Sequence, residues 1–272
     1  MTSRSSGVHA LTMIVAGMVL LWIWTRFAEL WLPSVAFYAG VVVFLTGLVS
    51  VLVPLRFVGV RTRGGAVLVA LAGAAIAAVA LLWPVGAGGQ SAGGATALDQ
   101  VLPEYDRGER HEIRVQGSVE QVRKAVDDVT FADIRGFQTL MSLRARRRVT
   151  APPSRVLATM TAPHGAFTQL ANLNDEFVAG NIGRPWANAR PIAVADAGEF
   201  RSFPDAGYAK IAFNMRVEAA EPGWCKVSTE TRIRATDQAA RTAFTRYWRV
   251  VYPGSALMRV MWLDAIERRL HS

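Results

Sequence analysis

Residues 210–235 read KIAFNMRVEAAEPGWCKVSTETRIRA, and this stretch decides the fold. In its first half Ile211, Phe213, Met215 and Val217 alternate with Lys210, Asn214, Arg216 and Glu218. In its second half Val227, Thr229, Thr231 and Ile233 alternate with Ser228, Glu230, Arg232 and Arg234. A period of two belongs to strands, and one apolar row per strand predicts an antiparallel pair with one buried face. The residues between them, Ala219-Ala220-Glu221-Pro222-Gly223, carry the proline and glycine of a hairpin turn.

A helix follows. Thr236 or Asp237 is placed to cap it, and Ala239, Ala240, Ala243, Phe244, Tyr247, Trp248, Val250 and Val251 fall on one side. Arg241, Thr242, Thr245, Arg246 and Arg249 fall on the other. Pro253-Gly254-Ser255 is expected to break this helix, with a last one from Ser255 to about Arg269. Upstream, residues 109–116 read as a strand ended by Gly117. Ser118 with Gln121 forms a capping box that opens a helix through about Asp128. A second helix is expected over Phe131–Leu143, and further strands over Asp175–Asn181 and Gly198–Phe203. Strand, two helices, antiparallel strands and a long closing helix define an α+β domain, in which the aromatic face of the last helix must be buried against the sheet.

The first third of the chain is a different material. Residues 1–98 hold five arginines and a single glutamate, Glu29. A membrane span needs about 20 mainly apolar residues, and three segments qualify, about 9–31, 35–55 and 66–85. The first carries Arg26 and Glu29, three apart and able to pair at the interface. No small-x-small cleavage site follows it, so it reads as retained. Ala70, Ala74 and Ala78, with Gly73 and Ala77, give the third segment small-residue faces for close helix packing. Arg4, Arg56, Arg61 and Arg63 on one side against Arg26 on the other predict a multi-pass protein of a bacterial-type cell membrane, with its soluble domain extracytoplasmic. The run GAGGQSAGGAT, within an expected linker of 87–103, reads as a flexible tether to a domain spanning 104–272.

Composition narrows the function. Of the 272 residues 51% are apolar and 19% charged, which excludes a disordered tail protein. The single cysteine, Cys225, is read as excluding an intramolecular disulfide framework and any structural zinc site. The formal charge of +9 raises nucleic acid as a partner. The densest basic run, Arg144-Ala145-Arg146-Arg147-Arg148, lacks the interleaved aromatics of a nucleic-acid reader, so no nucleic-acid partner is expected. A solvated loop end and a contact with anionic lipid headgroups both remain open for it.

Several stretches are similar to bacterial SRPBCC-family proteins. They are Glu109–Val126 (ERHEIRVQGSVEQVRKAV), Gly180–Trp186 (GNIGRPW), Ser228–Asp237 (STETRIRATD) and Phe244–Ser255 (FTRYWRVVYPGS). The resemblance spans about 104–270 and none of the membrane part. It implies a helix-grip fold, in which a curved antiparallel sheet holds the long C-terminal helix over a deep apolar cavity. That superfamily includes START lipid-transfer domains, polyketide cyclases and birch-pollen-allergen-like proteins, so the resemblance implies a fold more sharply than an activity.

Catalytic signals are sparse. His9, His111, His164 and His271 have no carboxylate or cysteine at ligand spacing, and no nucleophile elbow, zinc motif, P-loop or dinucleotide fingerprint occurs. No catalytic residue, metal or cofactor is expected. Glu176 is a candidate general base only if it points into the cavity; a solvated strand edge or an arginine partner is the alternative. Phe177, Trp186, Phe213, Phe244, Tyr247 and Trp248 are the candidate cavity lining, against a filled core. Glu230 and Arg232 are a candidate polar pair at the cavity mouth, against a polar outer sheet face. The expected function is a membrane-anchored protein that holds or transfers a lipid or other hydrophobic small molecule. The alternatives are a cyclase- or hydrolase-like enzyme on an apolar substrate and a ligand-free scaffold for a membrane partner.

Overall fold

The computed structural model describes residues 32–53, 60, 62–83, 89–90 and 95–271. The first expected span, 9–31 with its Arg26–Glu29 pair, lies outside the described residues. The chain divides into two compact units, Met1–Pro84 with Trp248–Pro253, and Val85–Tyr247 with Gly254–Ser272.

The first unit contains helices α1 (Leu32–Leu52) and α2 (Arg63–Leu82), both long and apolar enough to cross a membrane. They begin three residues before the expected spans at 35 and 66. In α2 the start is set by Thr62, whose Oγ1 accepts from the Gly65 amide at 3.1 Å. Small residues set their spacing. A Cβ on Gly40 would lie 2.5 Å from the Ala77 nitrogen, and one on Gly47 or Gly73 would collide with the backbone of Ala70 or Phe44. Backbone meets backbone there, as in close-packed membrane helices. Val42, Leu45, Leu48, Leu68, Leu71 and Val79 point outward and are exposed.

The second unit contains, in order, β1 (Gly89–Gln90), α3 (Ala97–Val101), β2 (Glu104–Tyr105), β3 (Arg107–Gln116), α4 (Val119–Asp128), α5 (Phe137–Ala145) and α6 (Val156–Met160). There follow β4 (Thr168–Asn172), β5 (Glu176–Gly183), α7 (Ala197–Ser202), β6 (Ala209–Ala219), β7 (Trp224–Ala235) and α8 (Gln238–Leu270). The main sheet has the order β3-β7-β6-β5-β4 and is antiparallel throughout. The β6–β7 hairpin pairs Phe213 with Thr231 and Val217 with Val227, and turns on Gly223 at φ +79°. The α4 capping box is present: the Gln121 amide donates to Ser118 Oγ at 3.2 Å and the Ser118 amide to Gln121 Oε1 at 3.0 Å. Asp237 caps α8 by accepting from the Ala240 amide at 2.7 Å, and the backbone bonds it accepts hold its carboxyl below the usual range.

Several expected elements differ. The closing helix does not break at Pro253; α8 runs unbroken to Leu270. A helical proline removes one bond and crowds the carbonyl four residues back, a cost of about 3 kcal/mol. Burial of Phe244, Trp262, Leu263 and Ile266 along α8 offsets it. Thr245 and Arg249, expected on the polar side of that helix, are buried. Arg249, within the first unit, donates to the carbonyls of Leu81 and Trp83 at the end of α2, where helical acceptors have no intrahelical partner.

Residues 198–202, expected with Phe203 as a strand, belong to α7, and Phe203 follows its C-terminus. Asp196 Oδ1 accepts from the Gly198 and Glu199 amides, while Glu199 Oε2 accepts from the Ala195 amide at 2.6 Å, so a cap at each side starts a helix. The helix expected from Phe131 begins only at Phe137. Asp133 holds Thr130 through both amide and hydroxyl at 2.8 Å, and Gly136 takes φ +88°, which turns the chain before the helix starts. Residues 97–105, assigned to the linker up to 103, fold onto the sheet as α3 and β2.

The hairpin was expected to bury one face, but both faces of the sheet are covered. The inner face presents Val115, Phe177, Phe213, Met215 and Val227 to α4, α6 and the C-terminal part of α8 with Trp262, Leu263 and Ile266. The outer face presents Val178, Ile182 and Ala212 to Leu98 and Val101 of α3 and Phe200 of α7. Strand β5 explains this. Seven of its eight residues are buried, the pattern of a strand covered on two sides rather than one.

Candidate functional site

The six expected lining residues fall into separate groups. Phe177 and Phe213 lie in the inner core, where Phe213 has Phe167 at 5.2 Å and Trp262 at 6.1 Å between ring centroids. Trp186, Phe244 and Tyr247 form a second aromatic chain near the start of α8, with Trp186 edge-on to Phe244 at 6.3 Å. Tyr247 accepts at its hydroxyl from Arg144 at 3.2 Å. Trp248 belongs to the first unit and packs on Tyr252.

Glu230 and Arg232 lie on the outer face, in a closed network under α3. Arg232 donates to Glu230 Oε1 at 2.6 Å, to Asp99 Oδ1 at 2.8 Å and to the Leu102 carbonyl at 3.2 Å. Its guanidinium also stands 4.9 Å from the Tyr105 ring centroid. Burial alone would lower its proton affinity; the bonds and charges of Glu230 and Asp99 outweigh that and raise it. Beside it Glu176, 1% exposed, accepts from the amides of Ala97 at 2.7 Å and Leu98 at 3.3 Å and from Asn214 Nδ2 at 2.7 Å. Neither a solvated edge nor an arginine partner nor a cavity base describes Glu176. It ties α3 to the sheet.

The inner face holds a different polar cluster, made by β3, β7 and α8. Glu109 and His111 are two apart on β3, so they share a face, opposite Thr231 and Thr229 of β7. Ser255 and Arg259 are four apart on α8 and share a helix face. Glu109 is 4% exposed; its Oε1 is 2.8 Å from His111 Nε2, and its Oε2 accepts from Ser255 Oγ at 2.9 Å. The Arg259 guanidinium lies 4.5 Å from the Phe213 ring centroid and 5.5 Å from that of Trp262. Burial lowers its proton affinity, and the charge of Glu109 works the other way. It makes no hydrogen bond or ion pair with any described residue. Two more polar atoms of this face, Thr231 Oγ1 and Trp262 Nε1, are buried without a partner.

This arrangement can receive a polar group. Arg259 offers a fork of donors, and Trp262 Nε1 and Thr231 Oγ1 are unspent beside the inner core. Unmade hydrogen bonds in a buried site each cost about 1–3 kcal/mol, which an incoming acceptor recovers. Around the inner core stand partly buried Phe131, Phe137, Met160, Met258 and Met261. Methionine side chains repack with little penalty, which suits a rim that must admit something. Sequence reasoning does not single out Glu109, His111, Ser255 and Arg259 as a site, although the two-apart and four-apart spacings that unite them are visible in the chain. By sequence alone His111 lacks a metal-ligand spacing, and Ser255 stands in the Pro253-Gly254-Ser255 run that reads as a helix break.

No family model matches the sequence, and no curated protein matches it. Among solved structures the chain is similar to a hypothetical protein from Helicobacter pylori at 10% identity, over 66% of this chain and 98% of that one, with a TM-score of 0.32. It is also similar to the Zhui aromatase/cyclase from Streptomyces sp. R1128 at 13% identity, over 61% and 93%, with a TM-score of 0.25. An uncharacterised protein from Bacillus thuringiensis matches at 13% identity, over 58% and 100%, with a TM-score of 0.21. None of the three assigns a ligand or a reaction to this chain.

Proposed function

We propose that this protein is a membrane-anchored binding protein of the helix-grip class, which holds an apolar molecule bearing a polar, electron-rich group between the sheet and α8. One observation carries the reading: two buried donors without a hydrogen-bond partner, Thr231 Oγ1 and Trp262 Nε1, lie in the same apolar layer as the Arg259 guanidinium, which stacks on Phe213 and Trp262 and makes no hydrogen bond there. The polar end of the ligand meets Arg259, and its apolar body replaces the methionine and phenylalanine side chains of the rim. Helices α1 and α2 keep the domain beside the bilayer from which such a molecule comes.

A second reading is an enzyme on the same kind of molecule, favoured by the Ser255–Glu109–His111 chain of hydrogen bonds. In it Glu109 takes the Ser255 proton, and His111 steadies the carboxylate.

Native mass spectrometry of the full chain released from lipid nanodiscs separates them. Binding predicts an adduct of unchanged mass that is lost in Arg259→Met and kept in Ser255→Ala. Turnover predicts an adduct that changes mass with time in the wild type and stays constant in Ser255→Ala. A chain without any adduct after incubation with extracted membrane lipids contradicts both.

A further inference from the structure

The positive charge of the soluble part is concentrated in one segment. From residue 134 to residue 174 there are six arginines, Arg135, Arg144, Arg146, Arg147, Arg148 and Arg155, and no aspartate or glutamate. The rest of residues 99–272 holds nineteen basic and twenty acidic groups and is close to neutral. On the sheet, Arg110, Arg114, Arg216, Arg232 and Arg234 each reach a carboxylate. Within the basic segment Arg155 pairs with Asp128, and Arg144 bonds Tyr247. Arg135, Arg146, Arg147 and Arg148 have no hydrogen-bond acceptor or carboxylate for their side chains among the described residues.

These charges frame a space. A cleft of about 540 Å³ lies between the turn before α5 and the chain that leaves it, lined by Arg135, Gln138, Thr139, Ser142 and Arg148 among others. Two cations with amide and hydroxyl donors in one cleft make a site for a multidentate anion such as a phosphate ester. Helix α5 has no buried residue, and Leu143 on it is 76% exposed beside Arg144 and Arg146. An exposed leucine among arginines is the pattern of a segment lying at a bilayer surface, where cations meet headgroups and the apolar side chain enters the acyl boundary.

We infer that the α5 cleft is a binding site for the phosphate headgroup of an anionic lipid, with Arg135 and Arg148 as its ligands and Leu143 with Arg146 and Arg147 resting on the surrounding surface. The inference rests on membrane anchoring and not on a ligand in the grip, because the cleft shares no residue with the Arg259 cluster. It also gives the anchored domain a preferred lipid.

The test is a titration of the full chain, in micelles of an uncharged detergent, with dioleoyl phosphatidylglycerol and with dioleoyl phosphatidylcholine, read by native mass spectrometry. The anionic lipid should bind the wild type at least tenfold more tightly. Arg135→Gln with Arg148→Gln should erase that preference, as about 1 kcal/mol per surface cation implies. Arg190→Gln with Arg201→Gln, two exposed arginines outside the cleft, should leave it unchanged. Equal binding of both lipids, or a preference that survives the Arg135/Arg148 pair, overturns the inference. So does inorganic phosphate that competes at the concentration of the lipid, or a single-stranded oligonucleotide that binds more tightly than the lipid. Loss of the grip adduct in Arg259→Met leaves all of these readings untouched, so the two proposals fail separately.

Discussion

The polar groups around Glu176 and Arg232 on the outer face of the sheet and the polar groups around Thr231 and Trp262 beside its inner face are treated differently. On the outer face Glu176 accepts three hydrogen bonds, Arg232 donates to two carboxylates and a carbonyl, and Asn214 donates to Glu176 and accepts from the Glu230 amide at 2.7 Å. On the inner face Thr231 Oγ1 and Trp262 Nε1 are buried without a hydrogen-bond partner among the described residues, and Arg259 stacks on Phe213 and Trp262 with no hydrogen bond of its own. A satisfied network specifies one packing and resists change. An unsatisfied one costs stability and persists where it has something else to do. The outer network therefore reads as a clamp that holds α3 to the sheet, and the inner cluster as a site.

That contrast predicts unequal responses to mutation. The largest loss should follow Glu176→Ala, which strands two backbone amides and Asn214 in a buried space; about 3–5 kcal/mol is expected from chemical denaturation of the full chain in detergent. A loss under 1 kcal/mol would break the clamp reading. Arg232→Met should come next at about 3 kcal/mol, because Asp99 would remain buried without its cation. Its cost should shrink when Asp99→Leu is added, and a double variant as unstable as the sum of the singles would show that the two do not act as a pair. On the inner face Thr231→Val removes a hydroxyl that has no partner, so it should be neutral or stabilising by up to about 1 kcal/mol. Destabilisation beyond that would mean that the hydroxyl is engaged and that the two faces are less different than described.

Much of this architecture was legible in the chain. Alternation over 210–235 places the hairpin and its turn, the Ser118–Gln121 spacing places α4, and the aromatic side of the last helix places Phe244 against neighbouring rings. What escaped notice depends on partners far away in sequence. Polar residues on the outer face read as solvated because nothing local announces that α3, about 130 residues before β7, will cover them. The asparagine and arginine of a strand are equally at home on water or under a helix. Pro253 reads as a break because the local rule is sound, and tertiary burial of α8 overrides it. Residues 198–203 read as a strand because the helix-starting signal sits upstream of them, in Asp196, whose side chain accepts from the Gly198 and Glu199 amides. The inner cluster joins a strand pair to a helix pair 146 residues apart, Glu109 to Ser255, and only the fold supplies that contact.

The central claim is that Arg259 serves a ligand and not the fold. The measurement that tests it most directly is the denaturation midpoint of Arg259→Met, made in the full chain beside Arg232→Met under the same conditions. Arg259→Met should leave the midpoint unchanged or raise it, since an apolar side chain of similar length replaces a cation without a hydrogen bond between Phe213 and Trp262. A fall as deep as that of Arg232→Met would contradict the account and place Arg259 among the residues that hold the molecule together.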